Sequence, residues 1–194
     1  VVSRPGHELP PEQRGIGMVF QDYALFPHLT VAKNVAFGLT RLSAQEAARR
    51  TASMLDLVGL AHASGAYPHE LSGGMQQRVA RGRAFALDAP VLLMDEPFAA
   101  LDEITRFKLN NDLLTVWQAV RSTVIFVTHS VFESVYLSQR IVVLTPRPGR
   151  VFAEIAIPAP YPRNENFRTS AEYGGLCRQV AEALAGAMAA GAPS

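Results

Sequence analysis

Leu71-Ser72-Gly73-Gly74-Met75-Gln76-Gln77-Arg78-Val79-Ala80 decides how this chain is read. A serine precedes two adjacent glycines, and the glycines open a stretch with the pattern of an amphipathic helix. Such a helix start presents bare backbone N–H groups and the positive end of a dipole, with no side chain in the way. The Ser72 hydroxyl adds one more donor. That is a phosphate-binding device. Taken alone, the same residues are equally a serine N-cap followed by a tolerant glycine pair, so the flanking sequence has to decide.

Four short apolar runs read as buried strands: Ile16–Phe20, Val91–Met94, Val124–Val127 and Ile141–Leu144. They are rich in Val, Ile and Leu and lack clean alternation, the pattern of strands covered on both faces. Helical patterns lie between them. Ser43-Ala44-Gln45-Glu46 is a capping box that starts a helix towards Leu57, and Gly59 can end it. The helix opened by Ser72 reaches about Leu87, where Asp88-Ala89-Pro90 stops it. A third runs from Asp102 to about Val120, with Leu109, Leu113, Val116 and Trp117 on one apolar side. Strands alternating with helices predict a parallel α/β sheet. Residues 28–70, helical and strandless, read as an inserted lobe.

Pro146-Arg147-Pro148-Gly149-Arg150 supplies turn chemistry, after which Val151–Ile157 reads as a returning antiparallel strand. Pro158, Pro160 and Pro162 form a linker. Tyr173, Leu176, Val180 and Leu184 then share one face of a terminal helix, and the Ala/Gly-rich last nine residues are expected to fray. The organisation predicted is one domain over residues 1–158, with the helical lobe at about 28–90, and a C-terminal linker and helix over 159–194.

Bulk properties narrow the function. A net charge of +1 gives no general attraction to nucleic acid or acidic lipid, and only Lys33 and Lys108 are lysines. The single Cys177 excludes an intrachain disulfide and fits a reducing compartment as a buried thiol. No apolar run approaches the roughly 20 residues of a membrane span. Pro5, Gly6, Pro10 and Pro11 are not the apolar core of a secretory leader. A cytoplasmic protein is expected.

Three of the strands end in polar residues suited to phosphoryl chemistry: Gln21, then Asp95-Glu96, then Thr128-His129. Ligands of open parallel sheets bind outside the carboxyl ends of the strands, so these groups are expected on one rim. Singly, each is an ordinary strand-exit residue. In this order, with the Ser-Gly-Gly helix between the first two, they form a pattern. His7, His28, His62 and His69 show no ligand spacing among themselves.

From about Arg14 to Leu184 the chain resembles the ATP-binding subunits of ABC transporters. Leu71-Ser72-Gly73-Gly74-x-x-x-Arg78 is similar to their signature motif, and Gly17-Met18-Val19-Phe20-Gln21 to their Q-loop strand. Val91-Leu92-Leu93-Met94-Asp95-Glu96-Pro97 resembles the Walker B segment, Ala100-Leu101-Asp102 the D-loop, and Val127-Thr128-His129 the switch-histidine strand. Asp95-Glu96-Pro97-Phe98-Ala99-Ala100-Leu101-Asp102-Glu103-Ile104-Thr105-Arg106 and Thr145-Pro146-Arg147-Pro148-Gly149-Arg150 look like the nitrate/sulfonate/taurine importer group and the related pyrimidine-precursor importers. Phe20–Thr30 looks as much like iron, polyamine or molybdate importers, so the transported substrate stays open.

The resemblance implies a P-loop NTPase-like α/β fold with a mostly parallel sheet and an inserted helical lobe. It implies ATP and Mg²⁺, with Asp95 and Gln21 at the metal. Glu96 would polarise the attacking water, His129 would contact the γ-phosphate, and Gln21 would sense metal and water. Ser72, Gly73, Gly74 and Gln76 would bind, in trans, the nucleotide held by a second subunit. Asp102 would link the subunits. Gln21–Leu29 and the helical lobe would meet a membrane permease, placing the protein on the inner face of the cell membrane, with no nucleic acid partner.

The chain carries no Gly-x-x-x-x-Gly-Lys-[Ser/Thr], which the family places ahead of the Q-loop strand. It starts with Val1, and only twenty residues precede Gln21. The expectation is therefore a chain lacking its N-terminal strands and P-loop, poor at binding ATP in its own half-site and inactive alone. Two other readings remain: a non-catalytic assembly module, and a soluble ABC ATPase of DNA repair or translation. Near-zero charge and a single signature argue against the latter.

Overall fold

The structure is a computed structural model, and it describes residues 3–4, 7–10, 13–99 and 101–190. The chain divides into two compact units, residues 1–127 and 128–194. The proline linker anticipated at 158–162 lies inside the second.

The first unit opens with a short antiparallel ladder, β1 (Ser3–Arg4) with β2 (His7–Glu8). Its core is a parallel sheet of β3 (Ile16–Val19), β4 (Val91–Asp95) and β5 (Thr123–Val127), in that order. Ile16 stands beside Val91, and Val91 beside Thr123. The parallel α/β sheet expected from the sequence is therefore present, with strand ends shifted by one residue.

Between β3 and β4 comes the strandless helical stretch: α1 (Val31–Ala36), α2 (Ala44–Leu57), single 3-10 turns at Ala61–Ala63 and Pro68–Glu70, then α3 (Gly73–Ala86). The capping box of α2 is formed: Ser43 Oγ accepts the Glu46 N–H at 3.3 Å, and the Ser43 N–H donates to Glu46 Oε2 at 3.1 Å. α4 (Glu103–Val120) leads into β5 and buries Leu109, Leu113 and Val116.

α3 differs from the amphipathic helix read in the sequence. Gln77, Val79, Ala80, Arg81, Gly82, Ala84, Phe85 and Ala86 are all buried, so the helix is enclosed on most sides. It packs against α1, α2, α4 and β3 at once. A Cβ on Gly82 would stand 3.5–3.7 Å from Val35, Met54 and Val58, ordinary contact distance, so α1 and α2 pack closely around this point of α3 without requiring a glycine there. Glycine carries a helix-propensity penalty of about 1 kcal/mol relative to alanine at this position.

The two faces of the sheet are unequal, contrary to the expectation of strands covered on both. Gly17, Val19, Leu92 and Met94 share a buried face. A Cβ on Gly17 would come 2.5 Å from Leu92 Cδ2 and 3.5 Å from the Ala84 carbonyl, so α3 lies close over this side. On the opposite face Met18 is 41% exposed, Ile125 52% and Val127 49%. These apolar side chains have the composition of a covered face without a covering element among the described residues.

The second unit contains α5 (Val131–Leu137), the antiparallel pair β6 (Arg140–Leu144) and β7 (Val151–Ala156), α6 (Glu165–Arg168) and α7 (Ala171–Ala190). β7 is the returning strand read from the sequence. The buried stripe of α7 is Tyr173, Cys177, Val180 and Ala187. Leu176 is only half-buried, being one step round the helix from Cys177, and Leu184 is 38% exposed. The expected face of Tyr173, Leu176, Val180 and Leu184 is corrected accordingly. Residues 186–190, expected to fray, continue α7, as alanine's helix propensity favours; residues 191–194 lie outside the described residues.

Candidate functional site

β4 delivers two carboxylates at its end. Asp95 is its last residue and is exposed; Glu96 follows, half-buried. Glu96 has φ +43°, the left-handed region that a non-glycine residue adopts only at a cost. Its N–H donates to the Val127 carbonyl of β5 at 3.0 Å, and its own carbonyl accepts the Ala99 N–H at 3.1 Å. The chain thus turns sharply where the sheet ends. The following segment is anchored from α3: the buried Gln77 amide donates to the Pro97 carbonyl, and the Arg81 guanidinium lies over the Phe98 ring, 5.8 Å from its centroid.

The glycine pair opens α3 as expected. Ser72 is its N-cap, with Oγ accepting the Met75 N–H at 3.4 Å. A Cβ on Gly73 would meet Leu101 Cδ2 at 3.8 Å, and one on Gly74 would meet Thr105 Cγ2 at 3.4 Å. The starts of α3 and α4 therefore sit together. Asp102 caps α4, its Oδ1 accepting the Thr105 N–H at 2.9 Å, and the hydrogen bonds from Thr105 hold its carboxyl below the usual aspartate range. Gln76 turns back onto the loop before its own helix, its amide donating to the Pro68 carbonyl at 2.8 Å and the Leu71 carbonyl at 3.3 Å. Ala100 of the Ala100-Leu101-Asp102 run lies outside the described residues.

Gln21 is exposed in the turn that follows β3. Two residues further on, Tyr23 and Ala24 have φ +62° and +45°. Their carbonyls accept from Arg83 of α3, at 3.1 Å from Nη2 and 2.7 Å from Nη1, and the same guanidinium lies 5.4 Å from the Phe26 ring centroid. Burial pushes the Tyr23 phenol up and the Arg83 guanidinium down. The rest of the loop is stitched by Asn34, fully buried in α1. Its Oδ1 accepts the Phe26 N–H at 2.9 Å, and its Nδ2 donates to the carbonyls of Phe26, Leu29 and Thr30 at 2.9–3.1 Å. Arg83 and Asn34 were missed in the sequence. An asparagine inside a short helix, a residue type that prefers local backbone bonding, is the signal that marks Asn34.

Gln21, Ser72–Gln76, Asp95, Glu96 and Asp102 thus all belong to the first unit. His129 belongs to the second, exposed, one residue ahead of the Ser130 cap of α5.

Among the described residues, no three His, Cys, Asp or Glu side chains cluster to hold a metal by themselves. Asp95 is an exposed carboxylate at the end of β4, and Gln21 an exposed amide in the turn after the adjacent β3; a hard cation such as Mg²⁺ takes oxygen ligands of these kinds together with water and phosphate. No helix among the described residues is long and apolar enough to cross a membrane.

Comparisons with known proteins point the same way. The ABC transporter family model matches residues 2–99. The nitrate import ATP-binding protein NrtD of Synechocystis is 46% identical over 80% of this chain and 61% of its own length. The aliphatic sulfonates import ATP-binding protein SsuB of Bacillus cereus is 40% identical over 88% of this chain and 72% of its own. Among solved structures, the dimeric bacterial ABC transporter cassette MJ0796 superposes with a TM-score of 0.64 and 33% identity, covering 77% of this chain and 66% of that one. The chain thus spans roughly two thirds of the length of the proteins it matches. With its signature glycines, paired strand-end carboxylates and parallel sheet already in place, these matches show that the chain belongs to the ATP-binding cassette family of ABC transporters.

Proposed function

We propose that this chain is the ATP-binding subunit of an importer, coupling ATP hydrolysis to solute uptake through a membrane permease from the inner face of the membrane. The names of the nitrate and sulfonate relatives support the importer reading. The single observation that carries the chemistry is Glu96, held left-handed and half-buried directly after an exposed Asp95. A strained residue at the carboxyl end of a central strand is where function is sought in a parallel sheet.

In this reading Glu96 takes a proton from the attacking water, and Asp95 and Gln21 hold Mg²⁺. The bound ion supplies charge neutralisation on the phosphates. His129 donates to the γ-phosphate. Ser72, Gly73, Gly74 and Gln76 meet the nucleotide of a second subunit, and Asp102 couples the two. Gln21–Leu29 and the helical lobe receive the permease.

The 194 residues contain no Gly-x-x-x-x-Gly-Lys, so the loop that would cradle the chain's own nucleotide is not among them. The 194-residue chain is accordingly expected to show no ATP turnover above background. Turnover that disappears in Glu96→Gln would refute that half of the reading. The signature half is tested by mixing the chain with a full-length ATP-binding subunit and a non-hydrolysable ATP analogue. Nucleotide-dependent association, abolished by Gly73→Asp, is the expected result; no association with trapped nucleotide sinks it.

A second reading is an assembly module that hydrolyses nothing. It predicts association that is indifferent to nucleotide.

A further inference from the structure

The turn that carries His129 is closed by side chains of its own unit. The Thr128 hydroxyl donates to Glu133 Oε2 at 2.6 Å, and its oxygen accepts the Ser130 N–H at 3.0 Å. Ser130 Oγ in turn accepts the Glu133 N–H at 3.3 Å, capping α5. Glu133 is only 5% exposed, whereas His129, at the centre of the turn, is exposed. Three hydrogen bonds therefore encircle one solvent-facing residue.

The direction of each bond matters. A threonine hydroxyl has one proton, and giving it to a carboxylate fixes the rotor and aims its lone pairs elsewhere. Here they meet the Ser130 amide. At 2.6 Å the contact is short and the rotor is held at both its proton and its lone pair. α5 is also fastened along its length. The Tyr173 hydroxyl donates to the Phe132 carbonyl at 2.9 Å, and Arg163 Nη1 donates to the carbonyls of Val135, Tyr136 and Ser138 at 2.8–2.9 Å. The turn is thus tied to a helix that is itself pinned at both ends.

We propose that Thr128 and Glu133 are positioning residues for His129: the pair fixes the backbone at 128–130 and so the direction in which the imidazole leaves the chain. The importance of that direction rests on the reading that His129 meets the γ-phosphate, where a misplacement of about 1 Å costs on the order of 100-fold in rate.

The test uses the full chain with ¹³C at the histidine Cε1 positions, giving one signal for each of five histidines, with His129 assigned from His129→Asn. In Thr128→Val the His129 signal is expected to shift and broaden while the other four stay in place, and Thr128→Ser is expected to restore it. Glu133→Met should act as Thr128→Val does, and it decides the matter if the valine variant does not fold. An unmoved His129 signal in either folded variant overturns the proposal. So does a change spread over all five signals, which general loosening would produce. The reading beneath it is tested separately by ATP turnover of the assembled transporter carrying His129→Ala. Undiminished turnover there sinks the phosphate role, while the spectroscopic result alone judges the positioning.

Discussion

The Glu96 amide donates to the Val127 carbonyl at 3.0 Å while Glu96 itself stands at φ +43°. The bond between neighbouring strands is kept, and the backbone bears a strained conformation to keep it. Strain of this kind costs of order 1–3 kcal/mol for a non-glycine residue. Glu96→Gly is therefore expected to raise the unfolding free energy by about 1 kcal/mol, part of the relief being lost to the entropy of glycine. Urea unfolding of the two chains measures it. A glycine variant less stable than the parent would mean that the carboxylate makes contacts worth more than the strain.

The one-sided sheet separates two apolar positions that look alike in sequence. Leu92 is fully buried under α3, and Leu92→Ala should cost about 3 kcal/mol. Ile125, on the open face and 52% exposed, should tolerate Ile125→Thr within about 0.5 kcal/mol. The same open face should bind a hydrophobic dye and drive self-association, both reduced by Ile125→Thr. Equal destabilisation by the two substitutions would show that something covers the outer face.

Arg81 is a charge inside the helix bundle. It is 1% exposed, its Nη1 donates to the Leu109 carbonyl at 3.0 Å, and its Nε has no hydrogen-bond partner. Burial lowers its guanidinium to about 10, so it remains charged at neutral pH, where the full cost of burial applies. Replacing a poorly compensated buried charge by an apolar side chain of similar length is often neutral or stabilising. Arg81→Met is expected to stabilise the chain by about 1–2 kcal/mol, seen as a higher melting temperature at pH 7. A lower one would show that the bond to Leu109 outweighs the desolvation.

The cap at Asp102 gives a pH dependence. Its carboxyl is lowered by the hydrogen bonds from Thr105, so the folded state prefers the charged form more than the unfolded state does. The stabilisation is complete above the ordinary aspartate range and is lost as pH falls through the depressed value. Asp102→Ala should therefore melt below the parent at neutral pH, and the gap should close on acidification. A gap that persists at low pH would assign the effect to packing.

What the sequence told in advance was mostly local. The Ser43–Glu46 capping box, the Ser72 cap and the pairing of Asp95 with Glu96 at a strand end depend on neighbours within a few residues, and all are found. What escaped depended on distant neighbours. Arg81 looks like a surface residue until α4 and Phe98 enclose it. Arg83 reaches carbonyls 59 and 60 positions away, a contact no periodicity announces. The left-handed turn at Glu96 follows from where β5 places the Val127 carbonyl, which the residues around Glu96 do not encode.

Arg83 has a mechanical consequence as well. The 14 residues of α3 form a rod about 21 Å long. One end exposes the N–H groups of Gly73 and Gly74; near the other, Arg83 grips the turn that follows Gln21. A stiff rod transmits displacement without an intervening hinge. The turn after Gln21 and the glycine pair are therefore fastened to opposite ends of one helix, with no joint between them.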